Sequence, residues 1–499
     1  MKKQLALLLA LLMCLPAVSS CSESSPSGET DAPVSQTVPD ADESAEPEEP
    51  EEPETTRADY PDTLPELDFG GETVVIHTRG DSNATVEIYS EEMNGQPIND
   101  AIYERNELVS ERLGVVIEPF IGSTWTAYDN DVAAIRSSIM SNSAAFDIVA
   151  GWSARIPALS LECILHNLNT LPHLNLSQPW WTVTDELDIG GQIHFVTGDV
   201  ATSMLASMCI YLFNHKVAND LSIENLYDVV RDHKWTVDYI HTLTSGLYRD
   251  LNGNGSFDES DFYGLTTSSV NDADGYMQGF RVSMVSRDEE GYPVLDVNME
   301  HLTTVVEKLY NLNWNNTGCW CITGDGTSLA PFVEDRTLLS TSRVSSMFDQ
   351  LANMESDYGV LPYPLLNEAQ ENYGTRVQDS VSLWCVPIDV SSTEKSGAVL
   401  EALSAQSYRT VTPEYFDVAL KSRYSRDPDT AEMMDLVKDS IYFNFESLYN
   451  ETIATPWYVL RDLMPQKSTD FASYWKGKEK QVKRILKTTA KELKENMNQ

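Results

Sequence analysis

From Phe69 onward the chain alternates short β-branched runs with stretches whose apolar residues recur at helical spacing, the pattern of an α/β fold. Thr73-Val74-Val75-Ile76-His77 reads as a strand, and the segment 99–113 reads as a helix with Ile102, Val109 and Leu113 on one side. Val115-Val116-Ile117 returns as a strand. The next unit repeats the plan: Val132, Ile135 and Ile139 fall at helical spacing, and Phe146-Asp147-Ile148-Val149 follows as a buried strand. Two such units predict a parallel sheet with helices on its faces. Ligands of open sheets bind beyond the carboxyl ends of the strands, which marks Gly151, Trp152 and Ser153 as candidate site residues.

What precedes this body is of two kinds. Residues 1–20 have the parts of a secretory signal: Lys2 and Lys3, an apolar run from Leu5 to Leu15, then small residues. Val18-Ser19-Ser20-Cys21 resembles the lipobox of bacterial lipoproteins, and the resemblance implies cleavage before Cys21 and a lipid on its sulfur and freed amine, a stable anchor. Residues 21–62 are rich in Ser, Pro, Glu and Asp. Such a segment buries too little apolar surface to offset chain entropy and is expected to be a disordered, self-repelling tether. No later run approaches the roughly 18 apolar residues of a membrane-spanning helix, so the body is expected to lie outside the cell membrane, held by the lipid alone.

The remaining length suits two lobes better than one core. Asp and Glu number 77 against 34 Lys and Arg, a net charge of −43, which argues against binding a phosphate backbone and so against nucleic acid. Five cysteines lie beyond Cys21: Cys163, Cys209, Cys319, Cys321 and Cys385. Their odd number and scattered spacing fit neither a disulfide framework nor a zinc site, and they read as buried small hydrophobes.

A set of segments, in order along the chain, is similar to the extracellular solute-binding lipoproteins of ABC importers, in the large two-lobed class that includes maltose-binding protein. It comprises Leu67-Asp68-Phe69-Gly70-Gly71, Asn99-Asp100-Ala101-Ile102-Tyr103-Glu104-Arg105-Asn106, Phe146-Asp147-Ile148-Val149, Tyr211-Leu212-Phe213-Asn214, Lys234-Trp235-Thr236, Tyr358-Gly359-Val360-Leu361-Pro362-Tyr363-Pro364 and Arg423-Tyr424-Ser425-Arg426-Asp427. No one of them is specific; the ordered set is the signal. The resemblance implies a two-lobed periplasmic-binding-protein-like α/β fold of type II, each lobe a sheet flanked by helices. Lobe 1 would hold residues 63–198 and 376–434, and lobe 2 residues 199–375 and 435–499. The chain would cross near Gly198-Asp199 and return between Pro362 and Gln378. Val482, Ile485, Leu486, Leu493 and Met497 would form a helix packed outside lobe 2 or, with its many lysines, a helix lying on a membrane.

The most specific local motif is Asp250-Leu251-Asn252-Gly253-Asn254-Gly255-Ser256-Phe257-Asp258-Glu259-Ser260-Asp261. Oxygen side chains at loop positions one, three, five, seven, nine and twelve (Asp250, Asn252, Asn254, Ser256, Asp258, Asp261), with Gly at six and an apolar residue at eight, match a calcium loop of the EF-hand or dockerin kind. Asp rather than Glu at twelve weakens it. The expectation is a structural Ca2+ ion in a helix-loop-strand variant.

Aromatic residues are the second feature: Trp152, Trp180, Trp181, Trp235, Trp314, Trp320, Trp384, Tyr276 and Tyr363. A sugar ring has apolar C–H faces and a hydroxyl rim, so a carbohydrate cleft pairs stacking rings with a few carboxylates and amides. Trp152 and Trp384, beside strand-like runs, and Tyr363 are candidates to line it, while Trp235 in Lys-Trp-Thr is expected to lock a helix start. Asp199, after the strand-like run Ile193 to Thr197, and Asp379, near the return crossing, are candidate hydroxyl or amine acceptors, with Ser153 beside Trp152.

The chain has no Gly-x-Ser-x-Gly, no His-Glu-x-x-His and no phosphate-binding Gly-rich loop followed by Lys. The reading is therefore a monomeric binding protein rather than an enzyme, one that captures a small solute, an oligosaccharide by its aromatics, and delivers it to an ABC permease. The alternative is a surface glycan-binding or glycan-degrading lipoprotein, for which the same aromatics and calcium loop would serve.

Overall fold

In the computed structural model residues 56–182, 185–324, 329–424 and 427–497 are described; the signal segment, Cys21, most of the tether and Ser425-Arg426 lie outside these residues. Among the described residues twelve strands follow in chain order: β1 (Glu72–Thr78), β2 (Val115–Ile121), β3 (Ile148–Trp152), β4 (Cys209–Asn214), β5 (Tyr248–Arg249), β6 (Phe262–Ser268), β7 (Val285–Arg287), β8 (Pro293–Leu295), β9 (Cys319–Ile322), β10 (Thr337–Arg343), β11 (Tyr358–Leu361) and β12 (Ser382–Cys385). They build two main sheets, the cores of two lobes, and a small β7–β8 hairpin.

The first sheet has the order β12-β3-β1-β2. Its three N-terminal strands are parallel, with Val74 opposite Ile117 and Ile76 opposite Ile148. The helices Pro97–Leu113 and Asp129–Ser141 are the crossovers that parallel pairing requires. Gly114, at φ 59°, takes the left-handed turn that ends the first of them and aims the chain into β2. Burial follows the expected faces: Ile102, Val109 and Leu113 on one helix, Val132 and Ile135 on the other. β12 joins antiparallel from 230 residues downstream of β3, Trp384 opposite Ala150. The run Ile193 to Thr197 is no strand; it makes a single bridge, Val196 to Trp384.

The second sheet runs β11-β4-β10-β6, with β5 and β9 pairing successive parts of β6. β6 is parallel to β10 and β9, whereas β4 is antiparallel to β10 and β11. Lys234-Trp235-Thr236 does lock a helix start: Trp235 is fully buried with Nε1 donating to the Pro362 carbonyl at 2.9 Å, and the Thr236 hydroxyl caps the helix Val237–Thr244. The C-terminal helix Phe471–Met497 packs on the helix Met299–Trp314 and on β8, burying Val482, Leu486 and Leu493. Among the described residues no helix is long and apolar enough to cross a membrane.

Two connecting segments lie side by side where the chain passes between the sheets. The Cys209 amide donates to the Arg376 carbonyl at 2.8 Å, the Gln378 amide donates to the Ser207 carbonyl at 3.0 Å, and Met208 and Val377 form an antiparallel bridge. The outgoing passage is thus at 207–209 rather than at Gly198-Asp199. The helix Pro428–Asp439, most of it assigned above to lobe 1, packs on β11 in the second sheet.

The end of the composition-defined tether also packs on the body. Asp62 accepts both guanidinium nitrogens of Arg112 at 2.7 Å and a further bond from Arg409 at 2.7 Å. Arg57 stacks on Tyr408 and pairs with Asp199. Residues 56–62 therefore belong to the folded part.

Candidate ligand cleft

A cavity of about 660 Å3 opens between the two sheets. Three segments of the first lobe form one wall, each leaving the carboxyl end of a parallel strand: Arg79, Asp81, Ser82 and Asn83 after β1, Trp125 after β2, and Trp152, Ala154 and Arg155 at the end of β3. The opposite wall carries Asn271 after β6 and Arg343 at the end of β10, with Glu451, Tyr458 and Arg461 from the C-terminal region. Gln378, Asp379 and Ser380, on the return crossing, join the walls. Placement at the strands' carboxyl ends is what open α/β sheets provide, since helix starts and free loops collect there.

The wall groups are fixed by their neighbours. Arg79 is buried; it pairs with Asp81 at 3.3 Å and donates to the Ser380 carbonyl, so it ties the end of β1 to the return crossing. Asp81 also accepts the Trp125 amide at 3.1 Å, which positions that exposed indole. The Trp152 and Tyr128 rings meet edge to face, centroids 6.1 Å apart, and Trp152 carries the Arg155 guanidinium at 5.0 Å. Gly151 permits this geometry, because a Cβ there would collide with Ile156 and the Tyr128 hydroxyl.

Arg105 and Asn106 act from behind the wall. Arg105 Nη2 donates to the Glu87 carbonyl at 2.8 Å, and Asn106 Nδ2 donates to the Ile88 carbonyl at 2.8 Å, holding the end of the helix Ser82–Ile88 whose start lines the cleft. On the second wall Arg461 pairs with fully buried Asp274, which also takes Arg376 at 2.7 Å, and stacks on Tyr458 at 4.3 Å. Burial opposes the Arg376 charge, but Asp274 beside it holds its pKa above the usual arginine value. The Tyr458 hydroxyl, pushed up by burial, donates to Glu451 at 2.8 Å.

Of the residues picked from sequence, Trp152 and Asp379 reach the cleft. Ser153 lies just behind it, lining an adjoining pocket of about 40 Å3, and its hydroxyl donates to the Asp379 carbonyl at 2.8 Å. The other three do not come near. Asp199 is buried at the Arg57 pair, where burial pushes its carboxyl up against the pull of that guanidinium. Tyr363 is fully buried between Tyr211 and Tyr276, and Trp384 is fully buried on β12. Neither ring has a face to offer a ligand. Arg79, Ser82, Asn83 and Trp125 were missed, although the strand-end rule that selected Trp152 selects them too. Glu451, Tyr458 and Arg461 arrive some 300 residues after Trp152 and leave no spacing signal.

The motif at 250–261 connects β5 to β6, so the entering element is a short strand rather than a helix. Asp250 accepts the Gly253 and Gly255 amides at 2.6 and 2.8 Å, Asn252 accepts the Asn254 amide and Asn254 accepts the Ser256 amide. Asp261 is fully buried and turned toward the Leu251 amide and the Tyr248 hydroxyl. Among the described residues no group of three or more His, Cys, Asp or Glu side chains is placed to hold a metal ion. Cys209, Cys319, Cys321 and Cys385 are free thiols, and all of these but Cys321 are buried.

No protein-family model matches the sequence, and no curated protein sequence is similar to it. Solved structures are similar in fold. UspC of Mycobacterium tuberculosis superposes with a TM-score of 0.55 at 13% identity, covering 83% of this chain and 100% of its own. An ABC-transporter solute-binding protein of Thermotoga lettingae, bound with α-D-tagatose, gives 0.51 at 12% identity, with 83% and 100% coverage. The GacH receptor of Streptomyces glaucescens, solved unliganded and with acarbose, gives 0.51 at 12% identity, with 84% and 97% coverage. Sheets, crossings and cleft together give this chain the two-lobed α/β fold of the ABC-transporter solute-binding proteins.

Proposed function

We propose that this protein captures an oligosaccharide between its lobes and hands it to an ABC import permease, without making or breaking a bond. The observation that carries the reading is the cleft itself, in which the indoles of Trp125 and Trp152 and the ring of Tyr458 stand among arginines, amides and carboxylates at the carboxyl ends of both sheets. A cavity of about 660 Å3 accommodates two or three sugar rings. Sugar-bound solved structures of the same fold support the ligand class. The paired passages at 207–209 and 376–378 would serve as the hinge on which ligand-bridged lobes close. A lipid on Cys21 would hold the protein on the outer face of the membrane, where it would act as a monomer.

A structural calcium ion in the loop at 250–261 belongs to the same proposal. Asp250, Asn252, Asn254, Ser256 and Asp258 would supply the oxygens, and the ion would brace the β5–β6 connection. The capture reading is tested by isothermal titration of the full-length protein with oligosaccharides, peptides and polyamines, followed by recovery of the ligand. Saturable binding of an oligosaccharide recovered intact supports it. Cleaved sugar moves the protein to the glycan-degrading alternative, and binding of peptides or polyamines alone overturns it.

A further inference from the structure

The chain as a whole carries a net charge of −43, yet four guanidinium groups line its cleft: Arg79, Arg155, Arg343 and Arg461. Three carboxylates share the lining, and protein groups already bond two of them. Asp81 holds Arg79 and the Trp125 amide, and Glu451 holds the Tyr458 hydroxyl; the third, Asp379, is set against four guanidinium groups. A cleft built for a neutral sugar keeps its carboxylates for ligand hydroxyls.

The arginines divide differently. Arg461 is spent on buried Asp274, and Arg79 on Asp81 and the Ser380 carbonyl, although the buried Nε of Arg79 has no partner. Arg343 donates to the neutral side-chain oxygen of Gln378. Arg155 pairs at 2.9 Å with Asp129, whose side chain is 82% exposed and which is no part of the cleft, a pair that water screens. One available guanidinium thus stands on each wall, Arg155 on the first lobe and Arg343 on the second.

Resting on the capture reading, we infer that the ligand is an anionic oligosaccharide, one whose carboxylate or sulfate is gripped by Arg155 and Arg343 while its ring stacks on Trp152. The planar guanidinium fork matches the oxygens of either anion with paired, charge-assisted bonds. Closure brings the two forks to the anion from opposite sides, so the charge that is costly to bury unpaired becomes the group that bridges the lobes.

The test is calorimetric titration of the full-length protein with three trisaccharides: an oligogalacturonide, a sulfated galactan fragment without uronate, and neutral maltotriose. The expected result is that one anionic sugar binds about tenfold or more tighter than maltotriose, more weakly as salt rises. The preferred anion identifies carboxylate or sulfate as the recognised group. Arg343→Gln is expected to lower the ratio of anionic to neutral affinity about tenfold, and Arg155→Gln, on the other lobe, to lower it independently. Maltotriose binding as tightly as both anions, with that ratio unmoved in the two variants, overturns the inference and leaves sugar capture standing. Failure of all three sugars to bind, with a peptide or polyamine binding instead, overturns the capture reading and the inference with it.

Discussion

The Arg155 guanidinium carbon sits 5.0 Å from the centroid of the Trp152 ring, on a residue that also reaches the ligand cleft. The contact, with Tyr128 packed edge to face against the indole, fixes Trp152 before any ligand arrives. A platform held this way costs little further entropy on binding, which is the value of preorganisation.

Trp152→Ala is accordingly expected to weaken oligosaccharide binding by about tenfold or more, through loss of stacking area. Trp152 is only half-buried, so the melting temperature should fall by no more than a few degrees. Titration calorimetry and thermal unfolding of the same preparation check both halves. Unchanged affinity would remove Trp152 from the binding surface.

Trp384→Ala and Tyr363→Ala are expected to behave in the opposite way. Both side chains are fully buried, and emptying such a site costs about 3–5 kcal/mol. Unfolding midpoints in denaturant should drop strongly for each, while the protein that remains folded keeps its ligand affinity. Trp384→Phe, leaving a smaller void, should recover part of the loss.

That contrast shows what the sequence could and could not convey. The β-branched runs and helical spacing between Thr73 and Val149 predict β1, β2, β3 and their crossover helices, because each helix exposes one face and so writes its period into the sequence. Trp384 sits on a strand buried on both faces, where no alternation survives to separate core from edge. Asp199 reads as a hinge carboxylate until Arg57 arrives from the segment that composition assigns to the tether. Arg57, Asp62 and Arg409 are individually unremarkable in sequence; only folding shows them as a clasp. Arg343 and Arg155 likewise become partners of one cleft only through tertiary structure.

The loop at 250–261 yields a prediction that uses no sugar. Calcium in the low millimolar range is expected to raise the melting temperature of the full-length protein by mass action, with magnesium far less effective because its small shell resists a flexible loop. Asp250→Ala removes the acceptor of the Gly253 and Gly255 amides as well as the first oxygen ligand, so it should lower stability without calcium and abolish the calcium response. Asp258→Asn should reduce the response with a smaller basal effect. Identical melting curves with calcium and with a chelator would remove the ion from the proposal.

The pH dependence of stability should combine two effects of opposite sign. Burial pushes the Glu401 and Glu446 carboxyls up to about 7 from an ordinary value of 4.5. In each, one oxygen accepts amide bonds, from Asn175 and the Trp181 indole for Glu401 and from Met284 for Glu446, while the other is buried without a partner and suits a proton. Native protein then holds protons that the unfolded chain has released, so the stabilisation is complete below about pH 4.5 and is lost as pH rises through about 7. Asp62 behaves in the reverse sense. Burial would raise its carboxyl, but Arg112 and Arg409 hold it well below the ordinary 3.8, so its contribution is present above that value and is lost on further acidification. Thermal unfolding across pH should therefore show a maximum at about pH 4, between the two limbs. Glu401→Gln and Glu446→Gln, neutral at every pH, should each flatten the decline toward pH 8, and Asp62→Asn should flatten only the acid limb. A decline that survives both glutamine substitutions would mean that other groups carry it.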